Sequence, residues 1–119
     1  MDAMGRAARR AAKSLAMSSG NGRNAALLEA ATALRANREG IIEANGRDMA
    51  AARSRGLAAA MLDRLMLDAD RIEAMAQGLE AIVELPDPLG RVMAEWQRPN
   101  GLRIQRVAVP IGVIGIIYE

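Results

Sequence analysis

A chain of 119 residues suffices for one ordinary domain with a single hydrophobic core, and its 16 basic and 14 acidic residues leave a net charge of only +2, which is not that of a polyelectrolyte. Cysteine and histidine are both absent, which excludes a disulfide framework, a thiolate metal site and a thiol nucleophile within these residues. Hydrophobic residues make up 51% but aromatics only 2%, so Ala, Leu, Ile and Met must do the packing, and at roughly 25 cal/mol per Å² of buried area an alanine-rich core gains little.

The first expected helix covers residues 2 to 17. Met4, Ala7, Ala8, Ala11 and Leu15 recur at helical spacing, while Arg6, Arg9, Arg10 and Lys13 fall elsewhere. Its apolar stripe is mostly alanine, and its basic side reads as a solvated face. Residues 18–22 (SSGNG) break it, and Ser19 or Asn21 can cap the next helix, whose inner face holds Leu27, Ala30, Ala31 and Leu34. A third helix over about 38 to 55 turns Ile41, Ile42, Met49 and Ala52 inward and stops at Gly56, a residue suited to a left-handed cap. A short helix from Ala58 to Leu65 follows. The clearest periodicity in the chain comes next, in Ile72, Met75, Ala76, Leu79, Ile82 and Val83, and Asp70 with Glu73 has the spacing of a capping box.

Pro86 and Pro88 end that helix and mark the one boundary in the chain, at 85 to 90. Beyond it the period falls to two. Val92, Ala94 and Trp96 alternate with polar or flexible neighbours, as do Leu102 and Ile104 after Asn100-Gly101, a pair that predicts a type I′ turn with positive φ at both residues. A hairpin pairing roughly 91 to 97 with 102 to 108 is expected. Val107, Val109 and Ile111 fall on the opposite parity from Leu102 and Ile104, so a bulge or a change of partner belongs near Gln105-Arg106. From Ile111 to Ile117 only glycines interrupt β-branched residues, the pattern of a strand covered on both faces. Such a strand needs neighbours joined by crossover connections, so an unfinished domain is expected.

No catalytic constellation stands out. Asp68 with Asp70 and Glu80 with Glu84 lie beside arginines and read as caps and solvated faces; no phosphate loop and no G-x-G-x-x-G is present, and no metal site is expected. Arg98, Arg103 and Arg106 surround the hairpin without interleaved aromatics, which favours an exposed strand face over nucleic-acid binding. No apolar stretch approaches the ~18 residues of a membrane span. The N-terminus lacks the apolar core of a secretory signal. A cytoplasmic protein, with neither nucleic acid nor membrane as partner, is the expectation.

Three blocks, LPDPLGRV at 85 to 92, EWQRPNGLRIQRV at 95 to 107 and VPIGVIGIIYE at 109 to 119, resemble the γ-glutamyl phosphate reductase (glutamate-5-semialdehyde dehydrogenase) family. The last block is shared across the wider aldehyde dehydrogenase superfamily. The resemblance implies an α/β fold, of which this chain carries the N-terminal helices, a β-hairpin and the first buried strand of a Rossmann-like domain. It further implies residues 1–85 as the helical part of a cofactor-binding domain, 86–110 as linker and oligomerisation hairpin, with the hairpin itself at 91 to 109, and 111–119 as the first cofactor-domain strand.

The same resemblance implies a homo-oligomeric, NADPH-dependent enzyme of proline biosynthesis, of which these residues are the N-terminal part. In that family a cysteine thiolate attacks the acyl phosphate of L-glutamate 5-phosphate, phosphate leaves, and hydride from NADPH gives the semialdehyde. Ile117, Tyr118 and Glu119 fall where the cofactor approaches. The nucleophile has no counterpart here, so no catalytic residue is expected in this chain and it should be inactive alone. Two other readings stand beside this one: a self-associating helical interaction module, and a nucleic-acid-binding module built on the basic first helix.

Overall fold

Both periodicities find their elements. The computed structural model describes residues 2–117, and over these the helical spacing forms α1 (Asp2–Ala16), α2 (Gly20–Ala36), α3 (Arg38–Ser54), α4 (Ala59–Leu65) and α5 (Ala69–Val83). The alternating stretch forms β1 (Val92–Gln97) and β2 (Arg103–Val107), paired antiparallel. The chain divides into two compact units, Asn24–Leu85 and Met1–Arg23 with Pro86–Glu119. α1 and the hairpin fall in the same unit, and the later helices in the other.

In the Asn24–Leu85 unit the core is small. Ala31 of α2, Met49 and Ala52 of α3, and Ile72 and Ala76 of α5 are its buried apolar residues. Three of the five are alanines, which lets helix backbones approach but buries little area. Asn45, mid-helix in α3, is the buried polar residue, and both ends of its amide are satisfied: Nδ2 donates to the Leu65 carbonyl at 2.8 Å and Oδ1 accepts from the Leu67 amide at 2.8 Å. It ties α3 to the segment joining α4 and α5.

Helix ends follow local chemistry. Gly56, at φ 74°, closes α3: the Leu57 amide donates to Ala52 O (3.2 Å) and the Gly56 amide to Arg53 O (2.9 Å), the paired bonds of a Schellman motif. Ser19 Oγ accepts from the Gly22 amide at 3.1 Å at the start of α2. At α5 the cap lies two residues before the expected one. Asp68, in extended geometry, accepts from the Arg71 amide at 2.8 Å, so Asp70 sits inside the first turn. Glu73 is thereby free for another partner, described below.

In the other unit β1 and β2 pair Trp96 with Ile104 and Glu95 with Gln105, and the base is closed by Gly90 N donating to Ala108 O (2.9 Å) and Ala108 N to Arg91 O (3.0 Å). The turn is not type I′. Among the described residues only glycines have positive φ, so Asn100 does not. Pro99 and Asn100 instead occupy the centre of a turn closed by Gly101 N to Arg98 O (2.9 Å), and Gly101 follows at φ 84°. Proline's ring fixes φ near about −65°, which suits the first central position of a type I turn, so Pro99 overrides the Asn-Gly preference. A three-residue loop with a glycine bulge results.

The parity slip is also real, but its bulge lies on the partner strand. Val92 pairs with Val107 and Ala94 with Arg106, so the extra residue is Met93 of β1, not one at Gln105-Arg106. β2 runs regularly and its own alternation turns Val107 away from Ile104; the β1 bulge keeps Val92 opposite Val107.

The expected buried strand over 111–117 is not formed among the described residues. Ile111 is 87% exposed and Ile117 93%, and no strand is present from Ala108 to Ile117. A strand exists only by sharing hydrogen bonds with a neighbour, and none is available to this stretch. Gly112, at φ 98°, also departs from extended geometry.

Candidate functional site

The sequence singles out Ile117, Tyr118 and Glu119 as cofactor contacts. Tyr118 and Glu119 lie outside the described residues. Ile117 is solvent-exposed, and the residues leading to it, Val113 to Ile116, carry no polar side chain. These described residues offer a cofactor no side-chain donor or acceptor.

Nearby, an open groove runs between α1 and the start of the apolar stretch, lined by Arg9, Ala12, Lys13 and Ala16 on one side and Pro110 to Val113 on the other. Its two cations come from the exposed face of α1, and its opposite wall offers no side-chain donor or acceptor. Among the described residues no group of three or more Asp or Glu is arranged to hold a metal ion, and no helix is long and apolar enough to cross a membrane.

Of the carboxylates considered in the sequence, Asp68 caps α5 and Glu80 is an ion-pair partner. Glu80 joins Glu73 around one cation, Arg35 at the end of α2. Arg35 Nε donates to Glu73 Oε2 at 2.9 Å and Nη2 to Glu73 Oε1 at 2.7 Å, while Nη2 donates to Glu80 Oε2 at 3.0 Å and Nη1 to Glu80 Oε1. The Arg35 hydrogen bonds hold both glutamates below the usual carboxylate range, and the two carboxylates raise the guanidinium above its already high value. Glu73 and Glu80 are seven apart, two helical turns on one face of α5, which is the signal in the sequence for a shared partner. The identity of that partner, on another helix, carries no such signal.

On the hairpin, Arg103 Nη2 donates to Glu95 Oε2 at 2.6 Å and Gln105 Nε2 donates to the same oxygen, keeping Glu95 below its ordinary value, chiefly through Arg103. One of the three hairpin arginines is thus a cross-strand partner. In the Leu-Pro-Asp-Pro loop, Asp87 is held low first by the Leu89 amide (3.0 Å) and then by Arg23, whose Nη2 donates to Oδ2 at 2.6 Å. These contacts tie α2 to α5, β1 to β2 and Arg23 to the Leu-Pro-Asp-Pro loop.

The class that fold and sequence define is an α/β partial domain. No family model matches the chain. Curated proteins do match it along its whole length. It is 60% identical over 116 residues to the γ-glutamyl phosphate reductase of Rhodospirillum rubrum and 56% identical over 119 residues to that of Methylocella silvestris, covering 98% and 100% of this chain. Among solved structures, the γ-glutamyl phosphate reductase of Thermotoga maritima superimposes with a TM-score of 0.84 at 39% identity, and that of Saccharomyces cerevisiae with 0.80 at 38%, each covering 87% of this chain. The chain spans about a quarter of these proteins' length: 27% and 28% of the two curated relatives, 25% and 26% of the two solved chains. The resemblance carried by the three sequence blocks is thus shown, and over its full extent the chain is similar to γ-glutamyl phosphate reductase.

Proposed function

We propose that this chain is a structural part of a cytoplasmic, NADPH-dependent γ-glutamyl phosphate reductase, an enzyme of the aldehyde dehydrogenase superfamily that converts L-glutamate 5-phosphate to L-glutamate 5-semialdehyde and phosphate in proline biosynthesis. The single observation that carries this reading is 60% identity over 98% of the chain to a protein of that name. In this role the chain supplies scaffold rather than chemistry. It contains no cysteine or histidine to serve as nucleophile or base, and the substrate's acyl phosphate reacts with groups elsewhere in the enzyme. Residues 91 to 109, the hairpin, serve the enzyme as an oligomerisation contact, a use supported by its exposed apolar side chains Val92, Met93, Trp96 and Leu102. Ile117, Tyr118 and Glu119 border the cofactor site that the remainder of the enzyme completes.

The test is genetic. This chain replaces the aligned 116 residues of the Rhodospirillum rubrum reductase, and the hybrid gene is introduced into a proline auxotroph lacking its own reductase. Growth without proline is the expected result. A soluble hybrid that leaves the strain auxotrophic contradicts the reading.

A further inference from the structure

We propose that Asp87 is a latch between the Leu-Pro-Asp-Pro loop and the turn joining α1 to α2, and that the closed latch holds the hairpin in the position from which it joins subunits. The second half rests on the functional reading of residues 91 to 109 above. The first half stands on geometry alone.

The Asp87 carboxylate has three neighbours. Its Oδ1 accepts from the Leu89 amide at 3.0 Å within the loop, and its Oδ2 accepts from Arg23 Nη2 at 2.6 Å, across 64 residues of sequence. The same guanidinium reaches back along the chain: Arg23 Nη1 donates to the Ser18 carbonyl at 2.5 Å, and Ser18 Oγ donates to Leu15 O at 2.7 Å, at the end of α1. One arginine thus links the end of α1, the first turn of α2 and the loop. The third neighbour is Gly20, the first residue of α2. A Cβ there would lie 2.5 Å from Asp87 Oδ2, well inside the roughly 3.5 Å that nonbonded heavy atoms prefer. Gly20 does not have positive φ, and glycine is a poor helix former; the carboxylate seated over it is the reason this position takes no side chain.

The loop has little freedom to carry that carboxylate elsewhere. Pro86 and Pro88 flank Asp87, so φ is fixed on both sides of it and its own backbone is kept from the helical region. The loop leads directly into the base of the hairpin, where Gly90 N donates to Ala108 O and Ala108 N to Arg91 O. Releasing Asp87 therefore frees the root of β1. Asp87 is 42% exposed and Arg23 24%, so the ion pair adds little to overall stability. Its consequence is placement. Val92, Met93, Trp96 and Leu102 of the hairpin are exposed, and a contact surface held in position before association loses less affinity to ordering than one that must be fixed on contact.

The test uses the purified hybrid reductase carrying Gly20→Ala, Asp87→Ala, both together, or Asp87→Asn, which removes the charge but keeps an acceptor for the Leu89 amide. Alanine favours a helix more than glycine does, so without a latch Gly20→Ala would leave amide exchange at Gly90 and Ala108 unchanged or slow it. The expected result is exchange about tenfold faster in Gly20→Ala and in Asp87→Ala, and no faster in the pair than in Asp87→Ala alone, because the added methyl then meets no carboxylate. Asp87→Asn should change exchange in the same direction. In sedimentation equilibrium the same variants should dissociate into subunits at concentrations at least about tenfold higher than the hybrid without them. Arg35→Met, which breaks an ion pair in the other unit, should leave that concentration unchanged. Unchanged or slower exchange in Gly20→Ala, or effects that add in the pair, overturns the latch. Faster exchange with unaltered association overturns its role in assembly. A hybrid without these substitutions that is monomeric at every concentration contradicts the reading of the hairpin as an oligomerisation contact, and the exchange rates still decide whether Asp87 is a latch.

Discussion

Arg35 grips Glu73 with two parallel hydrogen bonds, 2.9 Å from Nε and 2.7 Å from Nη2, and so fastens the end of α2 to the first half of α5. Glu80 holds the same guanidinium from the next two turns. Because Glu73 and Glu80 titrate below their ordinary range when folded, their contribution is fully present above the ordinary glutamate value of 4.5 and is lost as pH falls through the lowered folded values. Arg35→Met should therefore lower the melting temperature most near neutral pH. The gap to the parent chain should narrow below pH 4.5. All three side chains are partly exposed, so screening keeps the effect modest. A gap that does not change with pH would show that the carboxylates are not its source.

Ile72 is almost completely buried, while Ala76 and Ala52 have no exposure at all. Ile72→Ala should cost about 2 to 5 kcal/mol in urea unfolding, and Ala76→Leu, which forces three extra carbons into a closed contact, about 1 to 3 kcal/mol. With so few buried residues, either loss is a large share of the total. Equal stability of the parent and Ala76→Leu would mean that α5 does not lie against its neighbours as described.

The hairpin turn gives a sharper contrast. Gly101 sits at φ 84°, where a Cβ costs roughly 1 to 2 kcal/mol, whereas Asn100 has negative φ and contributes one side-chain bond, accepting from the Leu102 amide at 3.1 Å. Gly101→Ala should accelerate amide exchange in β1 and β2 more than Asn100→Ala does. A type I′ turn would penalise both, through loss of a residue suited to positive φ.

Much of this was legible in the chain and some was not, for physical reasons. The helices were, because Ile72, Met75, Ala76 and Leu79 repeat at 3.6 residues, and the hairpin was, because Trp96 and Ile104 belong to runs of period two. Turn and cap details depended on competition between neighbours: Pro99 against Asn100-Gly101, and Asp68 against Asp70. The bulge was visible as a slip in parity on β2, but parity on one strand does not say which strand holds the extra residue. Ile111 to Ile117 reads as a buried strand because its composition anticipates neighbours, and it lies open because these residues contain none. The Arg35 cluster joins residues 38 and 45 apart in sequence, beyond the reach of any local pattern. Of the three expected cofactor contacts only Ile117 lies among the described residues, and it is exposed there.

The purified 119-residue chain should not oxidise NADPH in the presence of L-glutamate 5-phosphate, since it holds no thiol to form the acyl intermediate. Turnover above a buffer control, abolished by heating the protein, would require a different chemistry.

The most direct measurement is kinetic. The hybrid in which this chain replaces the aligned 116 residues of the Rhodospirillum rubrum reductase is purified and its NADPH oxidation with L-glutamate 5-phosphate compared with that of the natural enzyme. The account predicts kcat/KM within about tenfold of the natural value, because the exchanged part carries scaffold and leaves the reacting groups in place. A folded hybrid with no activity, beside an active natural enzyme, would contradict it.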